Sequence, residues 1–160
     1  MIAKTFEKFS YTSVAISTLL LFGASYYYTT LEIIWSFVES KTLNGILIFG
    51  ALLLSNYAID TVTRQLTIER SNRNAYHLLL YPLVIMSYPM ESVDMKFILS
   101  SAAIWAAWRN VRIFFELNNN LKKSKRLFDA CILLSLSSLI ILENLIIFIY
   151  PLLALVNANI

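Results

Sequence analysis

One cysteine, one histidine, three glycines and three prolines are all that this chain of 160 residues holds of those types, and each scarcity removes a class of protein. With Cys131 alone no intrachain disulfide forms, so the fold is not a disulfide scaffold. Cys131 lies in an apolar run, where a thiol behaves as a small hydrophobe. His77 and Cys131 are too few for a His/Cys metal cage, and the expectation is no metal and no cofactor. No phosphate loop, dinucleotide fingerprint, zinc motif or nucleophile elbow occurs, and the reading leans away from an enzyme. So few Gly and Pro leave no flexible linker or low-complexity segment. No internal repeat is visible, and a single domain is the plain reading. Charge is scarce as well: Asp, Glu, Lys and Arg make up 14% of the chain, against about 25% in a typical soluble domain.

What fills the chain instead is apolar. Hydrophobic residues reach 58%, and a chain this small keeps too much surface to bury them all in one core. Lipid is the solvent that accommodates them. The organising stretch is Arg109 to Arg126, which carries six of the thirteen Lys and Arg. Lying between long apolar runs, it reads as a cytoplasmic loop held inside by its positive charge. The isoelectric point near 9.0 does not point to nucleic acid. The basic residues sit in short clusters between apolar runs and form no basic face of a soluble fold.

In order, residues 1–8 form a short amphipathic lead with Lys4 and Lys8 around Glu7. Phe9 to Leu31 is an uncharged run of 23 residues, enough for the roughly 20 that a span needs. It exceeds a secretory h-region of about 7–15 residues and has no clear Ala-x-Ala site after it. Tyr26, Tyr27 and Tyr28 close it as an aromatic belt. Residues 32–41, with Trp35 and Phe37 between Glu32 and Glu39, read as a short outer interfacial helix. A second run, Thr42 to Ile59, ends at Asp60, which stands four residues before Arg64 and can pair with it on one helix face. Ser71 to Asn74 supplies turn and N-cap chemistry. The third run, Asn74 to Met90, contains Pro82, which should kink it, and Pro89 at its exit. The fourth begins at Phe97 and is carried to Phe115 if Arg109 and Arg112 snorkel. After the basic stretch come Ala130 to Leu142, Glu143, and Asn144 to Ile160. One helix to about Tyr150, broken at Pro151, is favoured over two half-helices turning at Glu143 and Asn144. The uncharged end suggests a chain that lies along the membrane, packs on a partner or is cut short.

The expected fold is therefore an all-α polytopic transmembrane bundle of about five spans, at about 9–29, 43–59, 74–90, 97–115 and 129–150, with the N-terminus cytoplasmic. That arrangement puts eleven of the thirteen Lys and Arg inside and leaves only Lys41 and Lys96 outside, as the positive-inside rule requires.

Few residues carry chemistry. Glu143 is a weak candidate for a catalytic or ion-binding acid if it lies within the bilayer; an acidic turn near the outer interface is the plainer reading. Arg109 and Arg112 can clamp an anionic headgroup or lipid-linked phosphate, and Lys122, Lys123, Lys125 and Arg126 can attract anionic lipid; topology anchoring explains both sets. His77 reads as an interfacial histidine. Glu32, Glu39, Glu91 and Asp94 fall on one predicted outer side, with no fixed spacing that pairs them. Ala102, Ala103, Ala106 and Ala107 form a small-residue face on which another membrane protein or a second copy can pack.

Two stretches resemble a known family. Asp60 to Tyr81, with Leu66-Thr67 followed by Asn72-Arg73-Asn74-Ala75-Tyr76, is one. Trp108-Arg109 running through Lys122-Lys123-Ser124-Lys125-Arg126-Leu127-Phe128-Asp129-Ala130 is the other. They look like a polytopic inner-membrane family of Bacteroidota catalogued as a domain of unknown function. The resemblance implies a multi-pass inner-membrane protein, with this chain matching the N-terminal half of the usual length. Some members carry a carotene-oxygenase label, but such iron chemistry needs several His ligands and this chain has one. The family's general look is that of envelope glycan polymerases and lipid-linked sugar transferases. The expected function is an accessory or structural subunit linked to the cell envelope. The alternative is a membrane enzyme or transporter acting on lipid-linked glycans. Membrane lipids are the expected partners, and nucleic acid is not.

Overall fold

A computed structural model describes residues 6–7, 9–66, 75–89, 91–117 and 119–157. The lead at residues 1–5 and 8, the connector at 67–74 with its expected Ser71 to Asn74 turn, and residues 158–160 lie outside them. The fold is all-α, 82% helical. Its elements in chain order are α1 (Tyr11–Thr30), β1 (Glu32–Trp35), α2 (Lys41–Leu66), α3 (Tyr76–Ser87), β2 (Ser92–Asp94), α4 (Met95–Glu116), α5 (Asn120–Ile140), a 3₁₀ helix (Leu142–Phe148) and α6 (Ile149–Asn157). The chain divides into two compact units, Met1–Met95 and Lys96–Ile160.

In the first unit, α1, α2 and α3 pack on one another. Ser10 and Ser13 start α1 with a reciprocal capping box: each side chain accepts the other's backbone N–H, at 3.2 and 3.1 Å, satisfying two of the donors that a helix start leaves open. The face that α1 buries is Ser13, Ser17, Leu21, Ala24, Ser25 and Tyr28, residues three and four apart as helical periodicity demands. Along the same helix the hydroxyls of Thr18, Ser25, Thr29 and Thr30 donate to carbonyls three or four residues back, at 2.6 to 2.9 Å, so a run rich in Ser, Thr and Tyr spends its donors on itself. Glycine matters once: a Cβ on Gly45 would come within 2.7 Å of the Thr29 Cγ2, so α1 and α2 approach closely there because residue 45 has none. At the opposite end the Ala75 N–H donates to the Phe6 carbonyl at 2.8 Å, and Phe6, Ala75 and Leu78 are buried together.

In the second unit, α4 and α5 share a buried seam of Ala107, Val111 and Phe114 against Leu127, Ala130 and Leu134. Asn119 caps α5, its side chain accepting from the Leu121 and Lys122 amides at 3.0 and 3.4 Å. That cap lets a helix begin among lysines, which the positive end of its dipole disfavours.

Among the described residues one helix, over Lys41–Thr63, is long and apolar enough to cross a membrane. Helix α3, at 12 residues, extends only about 18 Å. It runs on past Pro82, whose ring is buried.

Three expectations are corrected. Residues 32–41 are not a helix. Glu32–Trp35 is a strand paired in parallel with Ser92–Asp94, Ile33 opposite Val93 and Trp35 opposite Asp94; alternating Glu-Ile-Ile-Trp supplies β-branched and aromatic residues that suit a strand. The basic stretch is not a loop at its second half: Lys122 to Arg126 lie in the first two turns of α5, while Arg109 and Arg112 lie in α4, within the run carried to Phe115. The last region is not one helix to Tyr150. The α-helix ends at Ile140, Ile141 turns extended at φ −135° and ψ 109°, and a 3₁₀ helix follows. Pro151 does not end a helix: it sits in the first turn of α6, where its missing N–H costs nothing.

Candidate functional site

The interior of the first unit is polar along one line. His77 Nε2 lies 2.8 Å from the Asp60 carboxylate. Asp60 is 4% exposed and makes a further polar contact besides this one. One turn on along α3 stands Tyr81, beside Ser55, whose hydroxyl donates to the Ala51 carbonyl at 2.9 Å. One turn further, the Ile85 carbonyl accepts from the Tyr28 hydroxyl of α1 at 2.8 Å. Beside this ladder the Asn56 amide donates to Ser17 Oγ at 3.0 Å. The buried Asn56 Oδ1 has no partner among the described residues. Residues 77, 81 and 85 share one face of α3 because they are four apart. The rungs tie α2 and α1 to that face.

A carboxylate bonded to an imidazole in an enclosed site can hold the two helices together and can also carry a proton between two groups. Among the described residues this is the one contact between a histidine and an acid, at 2.8 Å.

The second unit has its own knot. Ser100 Oγ and Ser137 Oγ lie 2.8 Å apart, and the Asn144 amide donates to both, at 2.5 and 2.8 Å. These three side chains join α4, α5 and the 3₁₀ helix where the chain breaks. Ser137 and Ser100 are buried, so the break is held by polar groups that have no water to turn to.

No family model matches the chain, and no curated protein and no solved structure is significantly similar to it. The family resemblance therefore rests on the residues that carry it.

The residues singled out from sequence fall in separate places. Glu143 is exposed in the first turn of the 3₁₀ helix, one residue before Asn144, which does the bonding. Arg109 and Arg112 are half-buried and already engaged; Arg112 reaches Glu116 at 4.0 Å. The basic set divides. Arg126 donates to Asn110 Oδ1 at 3.2 Å and lies 4.0 Å from Asp129, and Lys123 lies over the Phe114 ring at 5.8 Å. Both therefore fasten α5 to α4, while Lys122 and Lys125 stay exposed. Of the four acids expected on one side, the strand pair draws Glu32 and Asp94 to one end of the first unit, with Glu91 just before β2. Among the described residues no three of His, Cys, Asp and Glu gather closely enough to hold a metal. Ala102 and Ala107 are buried, Ala107 in the seam against α5, while Ala103 and Ala106 are half-buried.

Sequence reasoning noted Asp60 and His77 separately and did not join them. The available signal was that the only histidine and the acid closing the second uncharged run flank one connector. The serine spacing in α1, Ser13 and Ser17 four apart and Ser25 eight further on, was a second signal.

Proposed function

We propose that this chain is a multi-pass integral protein of the inner membrane, N-terminus cytoplasmic, acting as an accessory or structural subunit linked to the cell envelope. One observation carries the membrane reading: large apolar side chains face outward around an interior that is partly polar. Ser17, Ser55, Asn56, Asp60, Ser100 and Ser137 are inside, while Leu19 is 69% exposed, Leu139 83% and Ile146 71%. Water would reject that surface, whereas lipid tolerates it and leaves polar contacts as the glue between helices. The two ends of the first unit support the orientation drawn from charge. Both connectors assigned to the outside meet as the β1–β2 pair. Both segments assigned to the inside meet where Ala75 bonds Phe6.

The accessory role is supported by how the polar residues are used, since those that bond beyond their own helix join helices within the chain. Ala103, Ala106 and the apolar exterior are left for lipid, a partner or a second copy. Alkaline carbonate should leave the protein in the membrane fraction, and in mild detergent it should migrate as a complex larger than one chain. A lone monomer would contradict the accessory role.

A second reading, a transporter or enzyme acting on lipid-linked glycans, has one specific support. An enclosed ionisable pair such as Asp60–His77 is costly in a membrane and usually marks function. If Asp60→Asn accumulates normally and leaves growth and envelope glycans unchanged, this second reading fails.

A further inference from the structure

Between α1 and α2, at the end where the chain passes from one to the other, lies a cavity of about 390 Å³, within the range of small-molecule sites. The Phe22 and Phe49 rings meet edge to face at 5.7 Å at one end of it. Tyr26 and Ile46 line it, and Gly45 lines it as well. The hydroxyls of Ser25 and Thr29 border it but donate to the carbonyls of Phe22 and Tyr26, so these two ask no hydrogen bond of an occupant. At the other end stands Lys41, the first residue of α2 and the one charged residue lining the cavity. The first turn of α2 holds no acid, so the positive end of its dipole adds to the lysine rather than being neutralised. Glu39, two residues upstream, is exposed and does not line the cavity.

We infer that this groove seats one acyl chain of an anionic membrane phospholipid, its phosphate at Lys41 and the first amides of α2, its hydrocarbon running toward Phe22 and Phe49. The proposal rests on the membrane reading above. The dimensions agree: the eight residues from Lys41 to Phe49 advance about 12 Å along the helix, close to half of a hydrocarbon core of about 30 Å. In the orientation drawn from charge, Lys41 is outside, so the lipid belongs to the outer leaflet. An uncharged wall takes the chain of any lipid; the lysine and helix start select the negative headgroup.

The test reconstitutes the full chain in phosphatidylcholine vesicles doped with phosphatidylglycerol bearing a photoactivatable diazirine in one acyl chain, and maps the cross-links by mass spectrometry. Label should concentrate on residues 22–29 and 41–49. Lys41→Gln, a change at an exposed residue, should lower that labelling about fivefold, the worth of one basic residue near the surface. It should leave labelling by the matching phosphatidylcholine probe unchanged. Ile46→Trp, which fills the groove, should lower labelling by both probes. Label spread in proportion to exposure over Leu80, Leu139 and Ile146, or a Lys41→Gln yield equal to the native one, overturns the inference alone. Release of the native protein by alkaline carbonate overturns the membrane reading as well.

Discussion

Replacing His77 with Phe should destabilise the first unit by about 3 kcal/mol, because it leaves the Asp60 carboxylate enclosed and without the imidazole. The side chains of the pair are 14% and 6% exposed, so water cannot take the place of the missing partner. The cost sits at the low end of the range for a broken buried ion pair because Asp60 keeps a further polar contact. Replacing Asp60 with Leu leaves an imidazole short of one acceptor and should cost about 1–3 kcal/mol. With both replaced, neither member of the pair is left as an orphan and two apolar groups meet across α2 and α3. A buried pair exchanged in this way is often close to neutral. The double variant should therefore be at least about 2 kcal/mol more stable than the two single losses predict together, a coupling that only contacting residues show. The assay is equilibrium unfolding in mild detergent by added denaturing detergent, followed by helical circular dichroism for the four members of the cycle. Losses that add to within about 0.5 kcal/mol would show that the contact contributes nothing and that the polar ladder is not what joins these helices.

Asn144→Leu removes the donor that reaches Ser100 and Ser137; it should cost about 1–2 kcal/mol and expose the 3₁₀ segment to hydrogen exchange before the rest of the second unit. Asn110→Ala should cost about 1 kcal/mol by releasing Arg126, whereas Asp129→Asn should change stability by under about 0.5 kcal/mol, since its ion pair is exposed and 4.0 Å long; chemical denaturation distinguishes the two. Leu19→Arg or Leu54→Arg, each on an outward face, should cost about 2.5–3.5 kcal/mol of insertion and deplete the protein from membranes. A water-soluble fold would instead become more soluble with the same substitutions.

Much of the helical layout was legible because it depends on uncharged runs. The runs at Phe9 to Leu31 and Thr42 to Ile59 became α1 and α2, and the run carried to Phe115 became α4. What escaped was set by contacts between segments far apart. Glu32 to Trp35 reads as amphipathic by itself and becomes a strand because Ser92 to Asp94 offers it a partner. The basic residues at 122–126 read as a loop because charge interrupts hydropathy, yet Asn119 caps a helix there and Phe114 and Asn110 hold two of the cations. The break at Ile141 lay within three residues of the alternative turn at Glu143 and Asn144. Choosing it required knowing that Asn144 meets Ser100 and Ser137. The Asp60–His77 pair was out of reach for the same reason. Each residue was visible, but their meeting depends on how α2 and α3 fold back on each other.

The most direct test is cysteine accessibility in intact cells. Cys131 is replaced by Ala, and single cysteines are placed at Glu39, Glu91, Lys122 and Lys125. A membrane-impermeant maleimide should label positions 39 and 91 from outside and positions 122 and 125 only after the membrane is opened. Labelling of 122 or 125 in intact cells, or recovery of all four variants in the soluble fraction, contradicts the account.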